Sequence, residues 1–239
     1  MRASVRPMAD PSFDDAIAIL GGTGEQGLGL ALRFATAGRP VLIGSRSVDR
    51  ANAAAERVRA AVPGAEVSGA ENPEVCRGAR VIILSVPFEH TASTVKEVRD
   101  ALLADQIVVS MGVPLASAAG GPATQTIGVW QGSCAEMVAA LLPKGVQTVS
   151  ALQNVAAHSL HSLDRPVDCD VVVSGAEQPR KRIMALCELI PGIRGIDGGP
   201  LANARIAESI TALLIGLNIR YRVSGGTGIR FTGLPNGDS

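Results

Sequence analysis

Short apolar runs recur along this chain, and each is followed by a stretch whose apolar positions fall at helical spacing. The first run is 16–20 (AIAIL), with Gly21 directly behind it and helical periodicity over 28–36, which reads strand, turn, helix. Gly38, Arg39 and Pro40 close that helix, and 41–44 (VLIG) is a second buried strand, so the opening segment forms a βαβ unit. The stretch 49–61, rich in Ala, Arg and Glu, predicts the next helix; 67–70 is a weak edge strand and 72–78 a short helix or turn. The run 80–86 (RVIILSV) is the clearest strand, stopped by Pro87. A helix over 90–103 and a buried strand over 106–110 (QIVVS) follow. Alternation on this scale predicts a parallel sheet with helices on both faces.

Beyond Pro114 the pattern loosens, and 116–126 reads as a loop. A helix is expected over 133–142, strands over 147–152 and 170–174, and a helix over 180–189. Gly198, Gly199 and Pro200 mark a hinge before a last helical piece and a Gly-rich tail. The apolar stretch 206–219 is interrupted by Glu208, Ser209, Thr211 and Asn218 and is too short to span a bilayer, so it predicts a buried helix. The two GGTG stretches, at Gly21 and Gly225, are not an internal repeat, because the first alone lies between an apolar strand and a helix.

Composition narrows the picture. The 239 residues are 46% hydrophobic and 18% charged, enough for one large α/β domain with or without a small appendage. Lys plus Arg and Asp plus Glu both number 22, so no basic footprint points to nucleic acid or an acidic membrane surface. The four cysteines, Cys76, Cys134, Cys169 and Cys187, are widely spaced without a CxxC pair and read as buried thiols of a reducing, cytoplasmic compartment. Residues 1–15 lack the apolar run of a secretory signal and read as a loose N-terminal extension.

Candidate chemistry begins at Gly22, Thr23, Gly24, Glu25, Gln26 and Gly27, a GxGxxG directly after a strand and opening a helix. Here Gly22 is expected to permit the tight turn, Gly24 to let the backbone approach a pyrophosphate, and Gly27 to allow close helix packing. This predicts a Rossmann-type doubly wound, mostly parallel sheet, with a small C-terminal helical domain. The division expected is 1–15 extension, 16–197 dinucleotide-binding domain and 198–239 helical domain with its tail. At the end of the second strand an NAD enzyme carries a carboxylate for the ribose 2′-hydroxyl. This chain has Gly44-Ser45-Arg46 there, with Arg50 a helical turn further on. A hydroxyl and guanidinium forks suit a 2′-phosphate, so the cofactor predicted is NADP(H); otherwise Arg46 and Arg50 are solvated surface charges.

Hydride transfer between organic cofactors needs alignment more than acids or bases. The single tyrosine, Tyr221, has no lysine four residues later, which argues against a short-chain dehydrogenase, and Lys96, Lys144 and Lys181 stand in no catalytic setting. His158 and His161 share a helical turn without a third metal-ligand candidate, so a surface or capping role is favoured and no metal site is expected. His90, after the Pro87-Phe88-Glu89 loop at the carboxyl end of a central strand, is left open as a site residue. Two rival readings stay open: an NADP-dependent reductase of a small imine, ketone or aldehyde, and a non-catalytic NADPH-binding sensor.

The segments GGTGEQGLGLALRFATAG, VLIGSR, VIILSVPFEH, QGSCAEM and SGGTGIRFTG, in this order, resemble the NADPH-dependent reductases of coenzyme F420, across 16–234. The resemblance implies reversible hydride transfer between NADP(H) and the deazaflavin coenzyme F420. It assigns phosphate contact to Thr23 and the 2′-phosphate to Ser45, Arg46 and Arg50, where relatives often carry Lys at the last position. Val86 joins the cofactor-binding positions. Phe88, in place of a more usual Trp, and Ala92 would lie along the nicotinamide. Ala157 and the backbone of Gly226, Thr227 and Gly228 would border the nicotinamide and deazaflavin pocket, while Gln153 stands where relatives can have His. NADPH and F420 are the partners implied, and the apolar helix over 206–219 suggests a homodimer.

Overall fold

The computed structural model describes residues 16–234, so the expected 1–15 extension and the last five residues of the tail, 235–239, lie outside it. The chain runs β1 (Ile17–Leu20), α1 (Glu25–Thr36), β2 (Val41–Ser45), α2 (Val48–Ala61), β3 (Val67–Glu71), α3 (Asn72–Arg77), β4 (Val81–Leu84) and α4 (Phe88–Val98). It continues β5 (Ile107–Ser110), α5 (Cys134–Leu141), β6 (Gln147–Ser150), α6 (Ala157–His161), β7 (Cys169–Gly175), α7 (Glu177–Glu188), β8 (Ile193–Asp197) and α8 (Ala204–Tyr221).

The strands form one eight-stranded sheet in the order β3-β2-β1-β4-β5-β6-β7-β8. The first six run parallel, and β7 pairs antiparallel with β6 through Val149↔Gly175 and Ser150↔Ser174. The final strand lies parallel to β7. Every residue of β1, β4 and β5 is buried, as strands covered on both faces must be, which explains their unbroken apolar runs. Side chains alternate between the faces. Ile17 and Ile19 join Leu28, Phe34 and Val58 in one core layer, while Ala18 and Leu20 join Val75, Val95 and Val98 in the other. The order of the chain reverses between β1 and β4, and a crevice opens there at the carboxyl ends of the strands.

Three departures from the sequence reading have local causes. Helix α1 starts at Glu25 rather than 28, because two glycines in its first turns, Gly27 and Gly29, erase the apolar periodicity. Strand β8 (IRGID) was not anticipated, since it is short and its burial is uneven. The expected buried helix over 206–219 is buried on one face only. Ala204, Ala207, Glu208, Ala212 and Leu214 face the protein, while Ile206, Leu213 and Ile219 are 64%, 59% and 68% exposed. The close approach to the domain takes mostly small residues, which turns the large aliphatics outward. Among the described residues no helix is long and apolar enough to cross a membrane. All four cysteines are buried free thiols, as expected.

Candidate functional site

The glycine loop joins β1 to α1. Gly21, not Gly22, takes the left-handed conformation, with φ of +79°, and a Cβ on it would lie 2.3 Å from the Ser85 carbonyl oxygen. That correction follows from packing: Gly22 is closed in by Ile43 at 2.9 Å, and Gly27 by the Gly21 carbonyl at 2.6 Å. At Gly24 the nearest atom would be 3.5 Å away, so its outer side is open. Gly24 caps α1 without a side-chain bond, and the first helical hydrogen bond runs from Leu28 N to Gly24 O at 2.8 Å. The amides of residues 25–27 therefore lack helical acceptors and present a site suited to an anion.

Beside this loop lies a cleft of about 180 Å³ lined by Thr23, Gly24, Ser45, Arg46, Arg50, Asn72, Val86 and His90, among others. Ser47 caps α2 by accepting a hydrogen bond from Arg50 N, and Ser45 Oγ accepts from Ser47 N at 3.2 Å. This local network fixes the corner from which both arginine side chains depart into solvent. Among the described residues no Asp or Glu lines the cleft, and none engages either guanidinium. His90 stands at this cleft rather than at the larger one next to it.

The second cleft, about 410 Å³, shares Gly24, Ser85, Val86 and Pro87 with the first. Glu25, Gln26, Phe88, Met111, Gly112, Val113, Leu115, Gln153 and Thr211 add to its wall. It thus collects the ends of β4, β5 and β6 and one residue of α8. Two hydrogen bonds and one backbone conformation hold the 152–156 turn in this wall. Leu152 adopts φ of 68°, Gln26 Nε2 donates to Val155 O at 2.8 Å, and Thr211 Oγ1 donates to Gln153 O at 3.0 Å. The buried Arg33 then fixes α6 by donating to the carbonyls of Leu160, Ser159, Ser162 and Arg165 at 2.9, 2.6, 2.6 and 2.9 Å.

Several predicted positions lie off these walls. Ala92 is half-buried on α4 one turn beyond Phe88 and lines neither cleft. Ala157 opens α6, and Thr227 Oγ1 donates to Asn218 Oδ1 of α8. Gly228 packs against Asp168 O, where a Cβ would come within 2.6 Å. The tail reaches the site region indirectly, through Gly226 against Ala156 and Ser159 Oγ donating to Gly225 O at 3.3 Å. What holds it is Asp170, fully buried, whose carboxylate accepts from Arg194, Arg230 and Phe231 N. The Glu25 carboxylate lies 3.5 Å from His161 Nε2, which also meets the Glu25 carbonyl at 2.8 Å.

Sequence reasoning did not identify Met111, Thr211 or Glu208. The last is 2% exposed, and its two carboxylate oxygens accept from Cys134 N and Ala135 N at 2.9 and 3.1 Å, tying α8 to the start of α5. Burial pushes this carboxyl up to about 7, against the pull of the two amides. A buried carboxylate with no cation beside it left no signature in the sequence, because its partners are backbone groups far away in the chain.

Comparison with known proteins is consistent with this geometry. Residues 16–114 match the family described as NADP oxidoreductase coenzyme F420-dependent. The F420-dependent NADP reductase of Methanocaldococcus jannaschii is 47% identical over 91% of this chain and 98% of its own length. That of Methanothermobacter thermautotrophicus is 44% identical over 92% and 95%. A crystal structure from Arthrobacter sp. FB24 superposes with a TM-score of 0.74 over 90% of this chain and 99% of that one, and at 24% identity it speaks to the fold alone.

Proposed function

This chain belongs to the F420-dependent NADP reductases, and from that premise we propose that its two joined clefts hold the two partners of hydride transfer between NADP(H) and coenzyme F420. The observation that carries the assignment is the smaller cleft, where Arg46 and Arg50 stand with Ser45 and Thr23 and with no carboxylate among the described residues. A 2′-phosphate fits this corner, since two unengaged guanidiniums and a hydroxyl can meet its oxygens while a carboxylate would repel it. The pyrophosphate fits the open side of Gly24 and the free amides of 25–27. A nucleotide running from that corner across the shared Ser85-Val86-Pro87 segment enters the larger cleft with its nicotinamide end.

Bound together, the nicotinamide and the deazaflavin supply the hydride donor and acceptor. The chain's own task is to bind, to orient and to keep water away. Phe88, Met111, Val113 and Leu115 give the larger cleft flat apolar surface against which two ring systems can stack. Val86, at the boundary, sets where the nucleotide turns from one cleft into the other. Ala92, Ala157, Thr227 and Gly228 act at one remove in this reading, by shaping α4, α6 and the tail that support the cleft.

We assign 16–197 to the dinucleotide-binding domain and the segment from 198 to a small helical unit built on α8. The unit works as a homodimer. Its outward Ile206 and Leu213 share one helical face, and the fully exposed Trp130 sits in the loop whose Gly128, Val129 and Gly132 border Arg205 and Ser209 of the same helix. A second copy covering this face would remove the apolar surface from water. Leu213→Lys should convert dimer to monomer in light scattering. The four free thiols fit a cytoplasmic setting. The deciding assay mixes pure protein with NADPH and oxidised F420, where bleaching of the deazaflavin absorbance is expected and its absence overturns the assignment.

A further inference from the structure

We infer that Gln153 is a positioning residue that hydrogen-bonds the amide or imide edge of one of the two rings meeting in the larger cleft; the inference rests on the cofactor assignment above. Gln153 is 7% exposed, yet it forms part of the cleft wall. Its Nε2 donates to Ser150 Oγ at 3.1 Å, while its Oε1 is sealed from solvent without any partner. An orphaned polar atom at such a place is unfavourable in the empty protein, by about the amount a buried hydrogen bond would return. The wall around it mixes apolar side chains such as Met111 and Leu115 with polar ones such as Gln26 and Thr211, and of these polar groups Gln153 is the one whose acceptor lies buried without a partner.

The backbone is arranged to keep this side chain in the wall. Leu152, buried and β-carbon-bearing, is held in the left-handed region with φ of 68° immediately before Gln153, at the carboxyl end of β6. Such a conformation is costly for leucine and persists where its surroundings impose it. Here Thr211 of α8 grips the Gln153 carbonyl and Gln26 of the glycine loop grips Val155. The nucleotide loop and the last helix thus fix the same turn. The terminal amide pivots on a soft torsion and can follow a ring that arrives. Both candidate rings carry the required N–H: the nicotinamide a carboxamide, the deazaflavin a pyrimidinedione imide.

The test is Gln153→Met, which keeps length and removes the amide, in the full-length protein. Expected is a rise of about three- to tenfold, the size of one neutral hydrogen bond, in one constant alone. If the dissociation constant for NADPH without F420 rises, the contact is the carboxamide; if the KM for F420 rises instead, it is the imide. The unliganded variant should melt close to wild type, because the unpaired acceptor it removes offsets the lost Nε2 bond to Ser150 Oγ. Both constants and kcat unchanged within about twofold would overturn the inference. So would a variant whose empty form is clearly less stable, since the amide would then serve the fold. Wild type that fails to reduce F420 refutes the assignment of function instead, and the NADPH titration still decides the role of Gln153.

Discussion

Asp170→Asn is the substitution for which the structure gives the sharpest expectation. Asp170 sits fully buried near the start of β7 and accepts from Arg194 Nε at 3.0 Å and Nη2 at 2.6 Å, from Arg230 Nη1 at 2.6 Å and from Phe231 N at 2.7 Å. Its own amide donates to Ile229 O at 2.8 Å, so one residue binds three positions of the C-terminal tail. Burial by itself would push this carboxyl up, but the bonds from Arg194, the Phe231 amide and Arg230 outweigh it and hold the group down at about 2. Compared with an ordinary 3.8, that corresponds to roughly 2–3 kcal/mol of native-state stability. Removing one member of a buried pair costs about 3–5 kcal/mol in comparable cases, the upper end applying where the abandoned partner cannot reach water. Arg194 and Arg230 are partly exposed, at 32% and 38%, so the lower value is the better one. At about 2–4 °C per kcal/mol for a chain of this size, the melting temperature should fall by roughly 5–10 °C.

The charge dependence has a definite sign. A carboxyl whose folded value is depressed contributes stability above its unfolded value and loses it as pH falls through the folded one. The deficit of Asp170→Asn should therefore be constant from roughly pH 5 upwards and shrink as pH falls towards about 2. Thermal unfolding across pH, together with tryptic cleavage after Arg222, reads both effects. A melting temperature within about 1 °C of wild type, with the tail no easier to cleave, would refute the view that this carboxylate latches the tail.

Three further outcomes follow from other parts of the molecule. Arg46→Asp should raise the KM for NADPH by roughly 10- to 100-fold, the size of a charge-assisted hydrogen bond, and leave that for NADH nearly unchanged; equal losses would remove the 2′-phosphate assignment. Gly21→Ala should weaken NADPH binding and lower the melting temperature, since it forces a Cβ to 2.3 Å from Ser85 O at a φ of +79°, and calorimetry that shows neither would contradict the loop geometry. Glu208 titrates near 7 in the folded chain against an ordinary 4.5, so its contribution is fully present below about 4.5 and is lost as pH rises to about 7, by roughly 3 kcal/mol. Glu208→Gln should remove that part of the pH dependence, and parallel stability curves for variant and wild type would show that the carboxyl is not perturbed.

What was legible in the sequence is what is local. The strand, glycine loop and helix around Gly24 are contiguous, and Ser45, Arg46 and Arg50 occupy one corner because a serine cap starts α2 between them. The alternation of buried strands with helices needed no distant information either, which is why the parallel core was foreseeable. The larger cleft was not. Met111 and Thr211 come from the end of β5 and from α8, segments whose meeting depends on sheet order, and neither carries a motif; Phe88 and Gln153 were marked by the family resemblance and by no spacing that joins them. Strand β8 escaped for a related reason: it gains its edge from β7, which turns antiparallel to β6 at a single short ladder, Val149↔Gly175 and Ser150↔Ser174. The turn glycine was misplaced by one residue, because two adjacent glycines look alike until Ser85 approaches one of them.

Helix α8 shows how far apart composition and role can lie. Its apolar character suggested a buried element, yet the side chains it buries are chiefly alanines and a carboxylate. Each inward contact reaches a different part of the site: Thr211 holds the turn that carries Gln153, Glu208 holds the start of α5, and Asn218 accepts from Thr227 of the tail. The outward Ile206 and Leu213 do none of this. A second copy seated on those residues would stiffen the helix from outside, and through Thr211 the wall of the larger cleft with it. Monomeric Leu213→Lys should accordingly lose more affinity for the ligand of that wall than for the adenosine end of NADPH, which Ser45, Arg46 and Arg50 hold from the other side of the glycine loop. Equal affinity for a 2′-phosphorylated adenosine fragment in dimer and monomer, beside a raised KM for F420 in the monomer, is the pattern this coupling requires; an unchanged KM would separate assembly from the site.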